Sequence, residues 1–500
     1  MSKALPALAA CAVGLTACCI LWLATIWGMG TSPDSINYLL IAKAIEQPGD
    51  IWDVSTQWPP LYPLLLAGAE GIIGELLEGA RLFHCFIFGL NTLLFYSLVS
   101  DRFAKNDAPA LAGTVLFVFM PGMFSVHYMA WSEPLFISCI LLYLQSFRAW
   151  QHSSSTHLLV AAAVFLSLGL LTRYAGIAFV GASCALLLLG RQPLPSLLYR
   201  CLWYGALAIL PLLLFFMGKW LFSEAENFPR PFTVHWVDLP RLLAVFTVLS
   251  EWFMPRLLPQ WLSVTMLAVV GVLVGSSLFR ARVTLATDIV AQLLFICGFY
   301  LAFLFASISF FDYYTPIDNR TLNPVLVLLL ASLVFSIRRM SDSFGLWARL
   351  STLIVIVWAV LGVPTVLSTA AAASQNGSGY FSRTFRSQDI LQYVAGTPLA
   401  TVYSNSPETI EIYFSREAHP LPATYSPVEG KASEGAAGDY KALSSKIRGG
   451  EAVLVYFNHF AWRSYFPPLA YFEDQLSLPV LYRGKSGIVF GVSSASPEPG

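Results

Sequence analysis

Four short stretches place charged or aromatic residues where chemistry is conceivable: GTSPDSINYLL (30–40), QWPPLYP (57–63), WSEPLF (131–136) and DNRTLNP (318–324). Asp34 and Glu133 are carboxylates able to accept a proton, and Asp318 and Arg320 stand two residues apart. Each also has an ordinary structural explanation. Ser32 suits a helix N-cap and Pro33 the first helical position, so Asp34 falls in a first turn where the helix dipole favours negative charge. Glu133 beside Pro134 reads the same way, and Arg320 reads as an interfacial anchor. The helix that follows Asp34 places Ile36, Leu39, Leu40 and Lys43 so that an apolar face is expected to rest on the membrane surface. Trp58 and Tyr62 flank the stiff Pro59–Pro60 pair, which fits an interfacial aromatic anchor or a sugar-binding wall. Several acids and an arginine at one membrane depth are harder to explain singly, because desolvated charge is costly unless it is paired or used.

The elements that must carry these residues are set by composition. Of 500 residues 56% are hydrophobic and 12% charged, about half the charged fraction of a soluble domain. A span needs about 20 apolar residues. Such runs lie near 5–29, 80–100, 109–128, 133–150, 157–172, 174–190, 201–221, 259–279, 288–308, 321–337 and 350–370. The fifth and sixth are separated only by Thr172–Arg173–Tyr174. The first run is long, rich in Cys and Trp, and lacks a small-residue cleavage site before Pro33, so it reads as a retained span and not a signal peptide. The expected fold is therefore an α-helical polytopic membrane protein of about 11 transmembrane helices.

Basic residues set its orientation. With Lys3 cytoplasmic, Arg102, Lys105, Arg148, Arg200, Arg338 and Arg339 fall on the cytoplasmic side. Asp34, Asp50, Glu133, Glu224, Glu226, Asp312 and Asp318 fall on the other. The integral plasma (inner) membrane is the expected location, with everything after residue 370 outside the cytoplasm. The 29 basic and 29 acidic residues cancel, so charge gives a nucleic-acid partner no support.

All eight cysteines lie in expected spans and none in the tail, so no disulfide framework holds that tail together. The loop 222–258, with Trp236 and Trp252, is expected to lie along the outer membrane surface. The tail shows β-like runs (PLATVYSNS, EAVLVYF, SGIVFGVSS) and one helical candidate, SPETIEIYF, and reads as a small α/β domain over 371–500. Its Asp389, Glu408, Glu411 and His419 are scattered and form no catalytic set. The last residues, ASPEPG, read as disordered. His84, His127 and His235 lack the spacing of a zinc site; His127 suits either a substrate phosphate or a local hydrogen bond.

PDSINYLLIAKAI followed by WPPLYPLLLA resembles the first-loop signature of the polytopic GT-C glycosyltransferases, closest to the RgtA/B/C/D-like subgroup related to protein mannosyltransferases and aminoarabinose transferases. ARL (80–82), WSEPLF, GLLTRYAGIAF (169–179) and DNRTLNPVLVLLL (318–330) follow in order, the last similar to an R-Y-x-x-P pattern with Thr321 in place of the Tyr. The resemblance covers about the first 370 residues and implies a GT-C catalytic domain (1–370) whose first extracytoplasmic loop is 30–79. It further implies transfer of a sugar from a polyprenyl-phosphate donor to a lipid, glycan or protein acceptor on the exoplasmic face. Asp34 would be the general base of an inverting displacement and Glu133 a second acid that orients the acceptor or, with Asp34, holds a divalent cation. Arg320, with Arg81 or Arg173, would neutralise the leaving phosphate. Tyr38, Trp58, Pro60, Tyr62 and Asp318 complete the implied substrate-binding set. A lipid-linked sugar flippase is the alternative, expected to show repeats and interrupted helices at mid-membrane; a sensor acting through its tail is a third reading.

Overall fold

Apolar runs become helices in lipid because every backbone N–H and C=O must find its partner within the segment. The computed structural model describes residues 4–492 except 46–47, 53–56, 101–106, 191, 224–231, 233, 254–259, 281–283, 314, 344, 398–399, 427–430, 434 and 461–462. Lys3, Arg102, Lys105, Glu224, Glu226 and the ASPEPG end lie outside the described residues.

The first half of the chain holds α1 (Ala4–Ala24), α2 (Pro33–Ala44), α3 (Leu61–Ile73), α4 (Leu76–Val99), α5 (Ala108–Phe119), α6 (Pro121–Tyr128), α7 (Glu133–Ser153), α8 (Thr156–Thr172) and α9 (Gly176–Leu188). Then come α10 (Leu194–Phe222), α11 (Leu239–Phe253), α12 (Gln260–Arg280), α13 (Ile289–Phe310), α14 (Asn319–Ser343) and α15 (Gly345–Asn376). Among the described residues seven helices are long and apolar enough to cross a bilayer, or eight if the bent pair α5–α6 counts as one span; α3, α8 and α9 are shorter apolar helices. The molecule is a multi-pass, mainly helical membrane protein.

Three expectations need correction. The run 109–128 is not one straight helix but bends by 53° at Met120, where Pro121 drives the preceding residue into the extended region. The apolar face of α2 does not rest on lipid: Ile36, Leu39 and Ala42 are buried in one cluster with Tyr380, Phe381 and Phe385 of the tail. In the loop 222–258, Trp236 is exposed as expected, but Trp252 is buried on α11 and donates its indole N–H to Asn319 Oδ1 at 2.6 Å.

Hydrophobicity does not hold helices together in lipid; close packing and polar pairs do, each pair giving roughly 0.6–2 kcal/mol. Asn91 on α4 supplies several such pairs, donating to Pro134 O and His127 Nε2 and accepting from Ser138. Tyr143 on α7 shares a 2.7 Å hydrogen bond with Ser183 on α9.

The tail begins with α16 (Arg383–Arg386) and α17 (Asp389–Gly396), then β1 (Thr401–Ser404), α18 (Pro407–Phe414) and β2 (Ala418–Pro420). A small antiparallel pair, β3 (Tyr425–Ser426) and β4 (Lys431–Ala432), leads to α19 (Ala436–Arg448), β5 (Ala452–Phe457), β6 (Val480–Arg483) and β7 (Gly487–Phe490). The five-stranded sheet runs β2-β1-β5-β7-β6, with β1 parallel to β2 and β5, and β7 antiparallel to both its neighbours. Strand β5 reads AVLVYF without alternation because both faces are covered. Val453, Val455 and Phe457 join the cluster that reaches α2, whereas Leu454 and Tyr456 pack with Tyr440, Leu443 and Ile447 of α19. The helix expected at SPETIEIYF is α18.

Candidate active site

Two helix starts and one helix end converge. Ser32 caps α2 in a capping box with Ser35, and Pro33 opens the helix, so Asp34 lies in its first turn. Glu133 opens α7, followed by Pro134. Arg173 ends α8, where backbone carbonyls favour a cation. The two acids are held in register by a short bridge in which Gly30 N–H donates to Tyr128 O (3.0 Å) and Ala130 N–H to Gly30 O (2.8 Å). The chains approach so closely that a Cβ at Gly30 would stand 2.6 Å from Met129 Sδ and from the Tyr128 ring.

Arg320, at the start of α14, joins the set. A cation at a helix N-terminus is disfavoured by the dipole, and here two carboxylates offset that. Its Nη1 donates to Asp34 Oδ2 and its Nε to Glu133 Oε1 at 2.5 Å. Glu133 Oε1 also accepts from Arg173 Nη1. Glu133 Oε2 is buried and has no hydrogen-bond partner among the described residues. The guanidinium of Arg320 lies 4.9 Å from the Trp131 ring, and Trp131 donates to Ser32 Oγ at 2.8 Å. Exposure separates the acids: the Glu133 side chain is 1% exposed and that of Asp34 38%. Glu133 is the buried tether of both arginines; Asp34 faces open space.

That space is a cavity of about 340 Å³. Asp34, Arg173, Asp312, Arg320 and Thr321 supply its charged and polar lining, Trp58 and Pro59 line it beside Tyr38, and Tyr300, Phe303 and Leu304 of α13 supply apolar lining. Tyr38 also lines it, sharing a 3.1 Å hydrogen bond with Ser132 and meeting Trp58 edge-on at 6.1 Å. Burial pushes the Tyr38 hydroxyl up to about 12, against the pull of Arg320, so it acts as a neutral hydrogen-bonding group.

Other sequence candidates stand elsewhere. Tyr62 is buried beneath Tyr38 and bonds His84 Nε2 at 2.7 Å, while Pro60 caps α3 and Pro59 takes the place at the cavity expected of Pro60. Arg81 stays on α4, stacked 3.4 Å from the Trp22 ring and paired with Glu78 at 3.2 Å, away from the cavity. Asp318 accepts from Thr321 N–H at 2.9 Å and caps the start of α14 instead of facing the cavity. His127 takes the local reading, bonded to Met123 O and Asn91. The cavity residues Gln57, Thr172, Tyr174 and Ser307 were not anticipated. Thr172 and Tyr174 sit inside a motif already singled out, whereas Phe303, Leu304 and Ser307 lie in an apolar run with no distinguishing signal. A divalent cation finds a poor donor set: both candidate carboxylates already serve Arg320, and no three His, Cys, Asp or Glu converge among the described residues.

Residues 57–218 match the family model of dolichyl-phosphate-mannose-protein mannosyltransferase. The structure is similar to that of ArnT from Cupriavidus metallidurans bound to undecaprenyl phosphate, at 14% identity and a TM-score of 0.61, covering 97% of this chain and 98% of that one. The apo state of the same protein gives 15% identity, a TM-score of 0.59 and coverage of 96% and 97%. No curated protein matches the sequence. The chain thus shares the fold of ArnT, and residues 57–218 carry the mannosyltransferase-family match, in line with the resemblance read from the sequence.

Proposed function

We propose that the protein is a glycosyltransferase that moves a sugar from a polyprenyl-phosphate donor to a hydroxyl or amine of an acceptor, on the exoplasmic side of the inner membrane. The observation that carries this reading is Arg320, which links the half-exposed Asp34 to the buried Glu133–Arg173 pair at the edge of a cavity with both charged and apolar lining. Guanidinium groups suit phosphate oxygens, and the apolar lining from α13 suits a prenyl chain. When the donor phosphate engages Arg320, Asp34 loses its counter-ion and becomes available to the acceptor. The acceptor oxygen then attacks the anomeric carbon from the face opposite the phosphate, its proton passes to Asp34, and the carbon–oxygen bond to the phosphate breaks. Polyprenyl phosphate leaves as a stable anion beside Arg173 and Arg320, and the anomeric centre is inverted. Glu133 acts by holding both arginines, and no step needs a metal. In this reading residues 1–370 form the catalytic unit and 371–500 a supporting domain on the same side as the cavity.

Purified protein in liposomes carrying a labelled polyprenyl-phosphate sugar tests it. Label moved onto an added acceptor fraction supports the transferase. Label that changes leaflet while remaining on its carrier would favour the flippase instead.

A further inference from the structure

We propose that the tail carries a second binding site, a pocket for one neutral pyranose ring of a glycan. Its use as an acceptor subsite rests on the transferase reading above; the binding itself does not. The pocket measures about 250 Å³, below the range of about 300–1,000 Å³ typical of drug-sized ligands and suited to a single ring. Phe385, Tyr380 and Phe460 form its buried walls, with Thr384 and His459 exposed at its mouth.

Three features make this a built site. The aromatic walls are fixed: Tyr380 and Phe460 stack at 5.5 Å, and the Tyr380 hydroxyl donates to Glu408 Oε1 at 2.6 Å. Aromatic faces are electronegative and suit the weakly positive C–H face of a pyranose. Gln388 is 6% exposed and lines the pocket, yet its Oε1 has no hydrogen-bond partner among the described residues. A buried unmet acceptor is costly, and a sugar hydroxyl would satisfy it. Gln388 Nε2 lies 3.4 Å from His459 Nδ1; donation in that sense leaves the neutral imidazole with its proton on Nε2. The pair then offers one acceptor and one donor, which is what a hydroxyl needs. Among the described residues no Asp, Glu, Lys or Arg lines the pocket, so an anionic sugar or phosphate finds no counter-ion there.

The pocket is tied to the catalytic loop. Thr31 N–H donates to Ser378 O at 3.3 Å, and Gly379 packs on Thr31 O, three residues before Asp34. These contacts place the pocket beside the loop that leads into α2.

Saturation-transfer NMR on the full-length protein in nanodiscs, with methyl glycosides of neutral hexoses and pentoses and with a methyl glucuronide, tests the proposal. A neutral glycoside is expected to receive saturation through its ring C–H protons. The signal should fall at least fivefold in Gln388→Leu and His459→Ala, and the glucuronide should bind at least fivefold more weakly. His459 is exposed, so its variant reports on binding even if the buried Gln388 variant unfolds. Asp34→Asn should bind as wild type does, which separates this site from the catalytic one. No binding by wild type, equal binding by the His459→Ala variant, or equal binding of the glucuronide would overturn the proposal.

Discussion

At Arg320 a single guanidinium holds the two carboxylates that the sequence places 99 residues apart at Asp34 and Glu133. Lysine offers one point of charge instead of a planar fork, so Arg320→Lys should lower kcat by at least about 100-fold while the protein remains folded. Initial rates at saturating donor check this. Glu133 behaves differently because it is buried beneath two arginines. Glu133→Gln leaves Arg173 without its carboxylate and Arg320 with Asp34 alone, and breaking such a buried pair costs about 3–5 kcal/mol. A large fall in thermal midpoint, with activity lost alongside, is the expected result. Asp34, Glu133 and Arg320 were legible because each stands in a polar motif at the edge of an apolar run. The separate fates of Arg81 and Arg173 were not, since nothing local distinguishes an arginine stacked on Trp22 from one ending a helix at the cavity.

Helix α2 is where positioning is decided. Its start is fixed by its own cap, by the bridge at Gly30 and by Gly379, whose φ of +69° and contact with Thr31 O leave no room for a side chain. Gly379→Ala therefore combines a left-handed strain of about 1–3 kcal/mol with a backbone clash. It should lower both thermal midpoint and kcat, with donor affinity largely kept, as the split between kcat and donor Kd would show. The start of α2 was readable from Ser32 and Pro33, and most apolar runs from hydropathy alone. The bend at Met120 has a local signal in Pro121, which hydropathy alone does not register. The burial of Ile36 and Leu39 under the tail could not be read, because an apolar helix face does not specify whether lipid or protein covers it.

Across the whole molecule, α14 carries paired charge at both ends: Arg320 with Asp34 and Glu133 near its start, Arg338 with Asp107 and Arg339 with Asp288 toward its other end. Arg338 and Arg339 lie 18 and 19 residues along α14 from Arg320, about 27 Å at the helical rise. Cysteine labelling checks the proposed orientation: the tail has no native cysteine, so Ser445→Cys on the exposed face of α19 should react with a membrane-impermeant maleimide in intact cells. The tail should also be acid-sensitive. Burial alone would raise Glu408, but Arg463, with the Tyr380 and Ser406 hydroxyls, holds it below the usual carboxylate range. The Ser486 hydroxyl and three backbone N–H groups lower Asp389 to about 2. Groups depressed in the folded state stabilise it above their ordinary pKa near 4 and lose that contribution as pH falls through the folded values. Hydrogen exchange of the tail should be slow at pH 5 and accelerate between about pH 4 and 2, with Glu408→Gln already faster at pH 7. The sheet was legible from its strands, but the Glu408–Arg463 pair was not, since 55 residues separate its members. The central claim concerns Asp34, and sugar transfer from a polyprenyl-phosphate donor by purified Asp34→Asn and wild-type protein tests it most directly. The account predicts a kcat at least about 100-fold lower with donor binding retained; a folded Asp34→Asn protein that transfers sugar at the wild-type rate would contradict it.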